Sequence, residues 1–469
     1  MASKFLASPV GEAFSQPDLG RPTQVGAASN VAVVGCGHVG LVMAAGLAEL
    51  GHTVVGVDRS ERLVGQLCSG DVPIHEPGLT ELVQRGLSSG KLMFTTSYEY
   101  AIPEADFIFL AVDTPSTQGG AADLRNIRSA TASIAASLNG RTPIIVNKST
   151  SPIGTGETIE GILRRALSER QRAPRIVSNP EFLRQGRAVH DFFNPDRIII
   201  GGSHDDAHAV EKLYAQLKGT VIVTDQRTAE MIKYVANSFL ATRISFINEI
   251  ARLCEHLGVD IDEVVSGIAH DSRIGGHFFD AGIGFGGSCL PKDVAALRYM
   301  GETFGVFTPL LSAVQRVNEG QRTSAVRRLR ARLGTLEDKV IAVWGVTFKG
   351  ETEDARDSPA VDVIGLLMNE GATIRAYDPA FPTSAPEKIR ELYRSSALEA
   401  TRDADALAIL TDWPEFRAVP LSQVKAVMRG SVLFDGRNLV SKAEAESLGF
   451  AYLGMGRVAR VPNRRQTDA

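Results

Sequence analysis

The sequence predicts an α/β protein with two doubly wound parallel-sheet domains joined by a long central helix. Three observations predict this architecture: a βαβ unit near the N-terminus, an uninterrupted helical pattern in mid-chain, and a partial repeat of the first unit toward the C-terminus. The length of 469 residues also exceeds what a single hydrophobic core usually supports.

The βαβ unit covers residues 30–58. A short apolar strand leads into a glycine-rich turn and then into a helix rich in Leu, Met and Ala, which Gly51 ends. A second strand follows and finishes at Asp58. Because a helical crossover joins parallel strands, the unit predicts a parallel, Rossmann-type sheet. Further strands are expected at residues 105–112 and 143–150, in a domain that extends to residue 224.

The central helix is predicted from Thr228 to Leu257, about 45 Å of helix without Gly or Pro. Gly258 is expected to end it, and Asp260 with Glu263 resembles a capping box for the next helix. A helix of this length is expected to span domains or to form a subunit interface.

The repeat begins with KVIAVWG at residues 339–345, which echoes NVAVVG at residues 30–35. The second copy carries WGVTFKG in place of GxGxxG, so it need not bind a dinucleotide. The predicted division is a flexible extension at 1–29, a dinucleotide-binding domain at 30–224, a central helical region at 225–335 and a second sheet domain at 336–469.

The composition argues against several classes of protein. A net charge of −4 gives no general reason to bind nucleic acid or a membrane surface, and no run of 18 apolar residues could form a membrane span. The N-terminus lacks the apolar core of a signal peptide. Cys36, Cys68, Cys254 and Cys289 lie far apart without a CxxC pair, which argues against disulfides and metal sites and favours a cytoplasmic protein.

A dinucleotide fingerprint occupies residues 35–40, GCGHVG, directly after a strand and at the start of a helix. The helix N-terminus attracts pyrophosphate, and Asp58 can accept a hydrogen bond from a ribose 2′-OH. An acid there would repel a 2′-phosphate, so NAD is expected rather than NADP. The expected cofactor contacts of this turn are Gly35, Gly37, His38, Val39, Gly40 and Asp58.

Cys289 lies in the segment GIGFGGSCLPKD (282–293), where four of the first six positions are glycine. The amides of such a loop can wrap an anion, Lys292 can favour a thiolate, and Asp293 can orient a water. On spacing alone, a mobile loop with an incidental thiol is an equally good interpretation. Cys36 and Cys254 are better interpreted as packing residues.

Three polar residues are weaker signals. Lys233 and Asn237 are four residues apart and therefore share one face of the central helix, although a solvated face is the plainer interpretation. Glu181 is a lone carboxylate in a proline-containing turn.

Together these segments resemble the nucleotide-sugar 6-dehydrogenases of the UDP-glucose/GDP-mannose dehydrogenase family, over roughly residues 30–440. The matching segments are GCGHVG, IHEPGL (74–79), VDTP (112–115), KSTSPIGT (148–155), SNPEFLRQG (178–186), NPDRIIIGG (194–202), KYVANSFLATRISFINE (233–249), RIGGHFFDAGIGFGGSCLPKD (273–293), GVTFKGETEDARDSPA (345–360), YDP and FDGRN.

The resemblance implies that NAD binds the first domain, that the nucleotide half of a UDP-sugar binds the last, and that the long helix carries a homodimer interface. It implies two successive oxidations, with two NAD and one water used per sugar. Cys289 would attack the C6 aldehyde, and the thiohemiacetal would become a thioester. Lys233 and Asn237 would donate to the developing oxyanion.

The resemblance also implies a route for water and protons. Thr150 and Asp293 would hold the water that takes the alcohol proton, and Glu181 would help to activate water for thioester hydrolysis. Gln185 stands where members of the family usually have a second glutamate. Because an amide cannot relay a proton, an acid–base role at that position is in doubt.

The remaining contacts come from the resemblance alone. The implied cofactor contacts are Thr114, Pro115, Thr150 and Arg356. The implied substrate contacts are Glu181, Phe182, Leu183, Lys233, Asn237, Arg273 (reaching across the dimer), Phe285, Gly286, Phe348, Lys349 and Arg437.

The implied reaction is oxidation of UDP-glucose to UDP-glucuronate. The same chemistry on GDP-mannose or a UDP-N-acetylhexosamine is an alternative that keeps every catalytic residue. Two other classes are an inactive nucleotide-sugar-binding protein and a simple two-electron dehydrogenase.

Overall fold

The computed structural model describes residues 28–166, 173–381 and 384–457. The predicted flexible extension therefore lies outside the described residues, apart from its last two positions. The chain separates into two compact units, the first with residues 28–114 and 123–233, the second with 115–122 and 234–457. Among the described residues, no helix is long and apolar enough to cross a membrane.

The first unit contains one eight-stranded sheet. Its strands are β1 (Asn30–Val34), β2 (Thr53–Val57), β3 (Leu92–Thr95), β4 (Phe107–Leu110), β5 (Ile144–Asn147), β6 (Arg175–Ser178), β7 (Arg197–Gly201) and β8 (Thr220–Thr224). They lie in the order β3-β2-β1-β4-β5-β6-β7-β8. The first six strands have the order of a dinucleotide-binding sheet.

The helices of this unit connect those strands. They are α1 (His38–Glu49), α2 (Glu61–Cys68), α3 (Leu79–Ser88), α4 (Tyr98–Ala101), α5 (Arg125–Ala136), α6 (Thr155–Ala166), α7 (Ala188–Phe193) and α8 (His204–Glu211), with a 3₁₀ turn at Lys212–Tyr214. Separate apolar clusters cover the two faces of the sheet, so its central strands are buried on both sides, as expected for a doubly wound sheet, while the edge strand β8 is largely exposed.

The predicted parallel sheet is confirmed from β3 through β6, but its far edge differs. β7 pairs with β6 in the antiparallel sense, and β8 then pairs with β7 in parallel. The sequence pattern could not predict this reversal, because a buried strand has the same apolar composition whichever way it points.

The predicted central helix is confirmed as α9 (Gln226–Leu257), 32 residues long. It begins two residues before the predicted start because Asp225 caps it: the carboxylate accepts hydrogen bonds from the backbone N–H and the hydroxyl of Thr228, at 2.9 and 2.6 Å. Gly258 follows with φ of +72° and ends it. α9 joins the two sheet domains along the chain.

The second unit contains a helical part and a five-stranded sheet. The helices after α9 are α10 (Ile261–Ala269), α11 (Leu290–Thr303), α12 (Pro309–Leu333), α13 (Pro359–Asn369), α14 (Glu387–Arg390), α15 (Ala397–Thr401), α16 (Pro414–Ala418), α17 (Leu421–Val427) and α18 (Lys442–Ser447). The strands are β9 (Val340–Trp344), β10 (Thr373–Tyr377), β11 (Ala406–Ile409), β12 (Val432–Asp435) and β13 (Ala451–Gly454). All pairs are parallel, in the order β10-β9-β11-β12-β13.

The predicted internal repeat is confirmed at the turn that follows the first strand of each sheet. Gly35 and Gly345 have φ of +97° and +93°, and each donates its N–H at 2.8 Å to the last residue of the neighbouring strand. An aspartate beyond that strand holds the turn: Asp58 accepts the N–H of Cys36 at 2.9 Å, and Asp378 accepts that of Val346 at 2.7 Å.

A matched pair of alanine substitutions tests this turn. A Cβ at Gly40 would lie 1.8 Å from the carbonyl oxygen of Gly35, whereas one at Gly37 would meet no atom within 4 Å. We therefore expect Gly40→Ala to lower the free energy of unfolding by about 3 kcal/mol or more. Gly37→Ala is expected to change it by less than about 1 kcal/mol. Denaturant unfolding measures both, and equal losses would contradict the assignment.

Candidate active site

The glycine-rich turn of the first unit leaves open space beside the start of α1. Gly37 is the N-cap of α1 and has no side-chain cap. Gly37 is exposed, and a Cβ added there would meet no atom within 4 Å, so there is room for an anion at the start of the helix. Gly35 and Gly40 instead permit close backbone packing, since a Cβ on Gly35 would lie 2.5 Å from the carbonyl oxygen of Ala111. This arrangement fits a dinucleotide pyrophosphate.

Asp58 lies where a ribose contact was predicted, and it also has a structural role. Its two oxygens accept backbone N–H groups of Cys36 and Ser60, each at 2.9 Å. Because each carboxylate oxygen has two acceptor sites, capacity for ribose hydroxyls is left. The acid thus orders the turn and can bind a ligand beside it.

Two segments predicted to contact the cofactor also meet within the first unit. The buried Thr114 donates its hydroxyl to the carbonyl oxygen of Thr150 at 2.5 Å. Pro115 begins the short segment that clusters with the second unit.

Glu181 and Lys233, weak signals in the sequence, form a buried ion pair. Lys233 Nζ lies 2.9 Å from Glu181 Oε1, and both residues are about 95% buried. The other oxygen of Glu181 accepts the N–H of Leu183 at 2.6 Å. Burial alone would raise the pKa of Glu181, but the charge and hydrogen bond of Lys233 outweigh it and hold that pKa below its ordinary value. The carboxylate is therefore an acceptor throughout the neutral range.

Lys148 belongs to the same cluster, although sequence reasoning assigned it no role. Its amine donates to Asn179 Oδ1 at 3.0 Å, and the hydroxyl of Tyr214 donates to the same oxygen at 2.8 Å. Burial lowers the pKa of Lys148 to about 7, against the opposing attraction of Glu181. The only sequence feature that pointed to Lys148 was its position in KSTSPIGT, one of the segments that carry the family resemblance.

A cavity of about 140 Å³ lies beside this cluster within the first unit. Its lining includes Lys148, Asn179, Glu181, Phe182, Leu183 and Arg197. The Arg197 guanidinium lies 3.9 Å from the centre of the Phe182 ring. The predicted substrate contacts at 181–183 therefore line the same cavity.

In the second unit, Cys289 is the N-cap of α11 and is partly exposed. Asp293 lies one turn later and is fully buried; its Oδ2 accepts a hydrogen bond from Asn237 Nδ2 at 2.6 Å. A helix N-terminus favours a thiolate over a thiol. The second unit thus brings together three of the predicted catalytic residues.

Lys292, predicted to favour a thiolate at Cys289, forms an ion pair with Asp293. Its amine lies 2.5 Å from Asp293 Oδ1. The charge of Lys292 is therefore shared with the carboxylate that follows it in sequence.

The glycine-rich loop before Cys289 also differs from the expectation that its amides wrap an anion. The N–H groups of Gly282, Ile283, Phe285 and Gly287 donate to Asn248, Gly436, Asn318 and Arg356, respectively. A Cβ on Gly286 would lie 2.2 Å from the carbonyl oxygen of Asp357. The glycines are therefore explained first by close packing of this loop.

Arg437 ties the loop to its surroundings. Its guanidinium donates to the carbonyl oxygens of Leu410, Gly284 and Phe348 at 2.9–3.1 Å. The Lys349 amine lies 6.0 Å from the Phe348 ring centre. Arg273 pairs with Asp271 at 2.6 Å on the surface. The Arg356 side chain pairs with Asp354 at 2.7 Å, while its backbone carbonyl oxygen accepts the N–H of Gly287 in the loop.

Comparison with known proteins identifies the family of the chain. Residues 29–218, 227–320 and 342–442 match the NAD binding domain, the central domain and the UDP binding domain of the UDP-glucose/GDP-mannose dehydrogenase family. The UDP-glucose 6-dehydrogenase TuaD of Bacillus subtilis (strain 168) is 43% identical over 432 residues, which cover 92% of this chain and 93% of that protein.

Solved structures show the same likeness. A UDP-glucose dehydrogenase from the hyperthermophilic archaeon Pyrobaculum islandicum matches with a TM-score of 0.84 and 38% identity, over 93% of this chain and 99% of that one. A UDP-D-ManNAc dehydrogenase from Pyrococcus horikoshii matches with a TM-score of 0.81 and 30% identity, over 91% and 99%. The chain, with its NAD-binding domain first and its UDP-binding domain last, belongs to the UDP-glucose/GDP-mannose dehydrogenase family.

Proposed function

We propose that this chain catalyses the NAD-dependent, four-electron oxidation of UDP-glucose to UDP-glucuronate. The observation that carries the proposal is the partly exposed Cys289 at the start of α11, one turn before a buried Asp293 that Asn237 holds. A simple alcohol dehydrogenase has no need for such a thiol, whereas oxidation of an aldehyde through a thioester requires a nucleophile.

The second oxidation depends on Cys289. NAD bound at the glycine-rich turn supplies the hydride acceptor. The Cys289 thiolate adds to the C6 aldehyde and forms a thiohemiacetal, whose oxidation leaves a thioester. Water then cleaves the thioester to release the carboxylate and restore the thiol. Lys233 and Asn237, one turn apart on α9, donate to the oxyanion of this acyl chemistry.

The first oxidation requires that a proton leave the alcohol. Thr150 and Asp293 hold the water that takes it, and the buried position of Asp293 supports a fixed rather than a solvated carboxylate. Glu181 assists hydrolysis as a base, since Lys233 keeps it ionised. Gln185 orients groups by hydrogen bonding but transfers no proton, so Glu181 has no carboxylate partner at that position.

The sugar is assigned from the relatives. UDP-glucose is favoured because relatives that are 41–43% identical to this chain are named UDP-glucose 6-dehydrogenases, while the same fold also serves a UDP-D-ManNAc dehydrogenase. A UDP-N-acetylhexosamine or GDP-mannose is therefore the second candidate substrate.

A donor panel tests the reaction and the sugar together. With NAD in excess, we expect two NADH per UDP-glucose consumed and a carboxylate product. UDP-N-acetylmannosamine and GDP-mannose are expected to react at least 100-fold more slowly in kcat/KM. One NADH per sugar with an accumulating aldehyde would indicate a two-electron dehydrogenase, and binding without NADH an inactive binding protein.

Replacing Cys289 by serine tests the covalent step. We expect steady-state turnover to fall at least 1000-fold, because an alkoxide forms far less readily than a thiolate near neutral pH. Mass spectrometry is expected to detect slow accumulation of an ester-linked sugar. Cys254→Ser, at a buried packing thiol, is the control, and unchanged turnover in Cys289→Ser would remove the mechanism.

We also propose that the chain forms a homodimer through α9. An exposed apolar stripe runs along this helix from Val235 through Phe239, Phe246 and Leu253 to Leu257, each at least 50% exposed. Residues four or seven apart repeat on one helix face, so the stripe is continuous. An exposed apolar stripe on a helix of this length is typical of an association surface.

Phe239→Glu tests the dimer. A charge in the stripe is expected to shift the mass measured by light scattering from dimer to monomer at micromolar concentration. Tyr100→Glu is the matched control, because both aromatic side chains are 60% exposed. A dimer that survives Phe239→Glu would place the interface elsewhere.

Two broader expectations complete the proposal. We propose the functional division into residues 30–224, 225–335 and 336–469, in line with the three matched domains. We also propose a cytoplasmic location, supported by four widely spaced cysteines without a CxxC pair, which are typical of a reducing compartment.

A further inference from the structure

The IHEPGL segment contains a buried carboxylate that the proposed reaction leaves without a role. Glu76 is 6% exposed and touches two parts of the chain that are far apart in sequence. Its Oε2 lies 2.9 Å from His38 Nε2 and accepts the N–H of Gly186 at 2.8 Å; its Oε1 accepts the N–H of Ala188 at 2.7 Å. Both oxygens are thus engaged within the first unit.

On one side Glu76 reaches the cofactor turn. His38 is the first residue of α1 and follows the open position of Gly37. Its side chain is 18% exposed, and its Nε2 is the atom that approaches the buried carboxylate. Glu76 therefore limits the positions that this ring can take at the start of α1.

On the other side Glu76 reaches the end of the loop that carries Glu181. The loop starts at Asn179, whose side-chain amide donates to the carbonyl oxygen of Ile199 at 2.6 Å. It ends at the two amides that Glu76 accepts. Glu181 lies between these anchors, paired with Lys233, so its position depends on both ends of the loop.

We propose that Glu76 is a positioning residue that couples the cofactor turn to the Glu181 loop. It sets the place of His38 for NAD binding and the place of Glu181 for hydrolysis through one carboxylate. Glu76→Gln keeps the shape of the side chain but replaces one acceptor oxygen by an NH₂ donor. That donor then faces a backbone N–H or the imidazole of His38. The Glu181 half of this inference rests on the proposed function; the NAD half does not.

A double-mutant cycle on NAD binding tests the coupling. The Kd for NAD is measured by calorimetry on the full chain without sugar, for Glu76→Gln, His38→Phe and the double variant. We expect Glu76→Gln to raise Kd about 10-fold and the double variant to be no more than about 2-fold weaker than it, because His38 acts through Glu76. If the fold-changes in Kd of the two single variants multiply in the double variant, the side chains act independently and the inference is overturned.

Glu230→Gln is the matched control for a buried carboxylate. Glu230 is 4% exposed and accepts the N–H groups of Gly154 and Gly156 at 2.6 and 2.9 Å, without reaching His38. When it is combined with His38→Phe, the two fold-changes in Kd are expected to multiply, because the two side chains act independently. If Glu76→Gln does not fold, Glu76→Asp keeps the charge but is too short to reach both segments, and the same cycle applies to it.

The effect of Glu76 on the loop that carries Glu181 is measured as turnover of the sugar donor. At saturating NAD, we expect Glu76→Gln to lower kcat for the donor at least 10-fold while the donor KM changes less than 3-fold. Unchanged kcat per folded molecule would limit Glu76 to the cofactor side and overturn the coupling. If no donor reacts even in the unaltered enzyme, the proposed function fails, while the NAD cycle still reports on His38 and Glu76.

Discussion

Side-chain carboxylates that accept backbone N–H groups hold together the turns and helix starts on which the candidate sites depend. Asp58 and Asp378 each hold the turn after the first strand of a sheet, and Glu76 and Glu230 each accept two backbone N–H groups. Turns and helix starts leave those N–H groups unpaired, so the carboxylates replace the water they would otherwise need. The loops around the candidate sites are therefore ordered by these hydrogen bonds as well as by apolar packing.

The choice of partner also explains the protonation of the buried cluster around Glu181. Glu181 and Lys233 are equally buried and satisfy one another, so the pKa of Glu181 falls although burial alone would raise it. Lys148 is as deeply buried, but its amine donates to the neutral amide of Asn179, and its pKa falls to about 7. The partner of each group, more than its depth, decides whether it is charged near neutral pH.

Much of the architecture could be predicted because it depends on local pattern. The dinucleotide turn, the bounds of α9 to within two residues and the repeated βαβ plan all follow from residues that are close in sequence. The reversed direction of β7 could not be predicted, since the amino-acid composition of a strand does not depend on its direction. The glycine-rich loop before Cys289 was expected to offer its amides to an anion; four of them instead bind protein acceptors more than 30 residues away.

The sequence by itself determined the family and the cofactor turn, because a fingerprint of glycines and an acid at fixed spacing has a specific chemical meaning, and it named the side chains proposed for catalysis. Only the tertiary structure decided which of those side chains meet. Glu181 pairs with Lys233 across 52 positions, and Glu76 accepts the N–H of Gly186 across 110. Such partners are chosen by the way strands and loops pack, so no local pattern in the sequence could have revealed Glu76 or Lys148 as parts of a site.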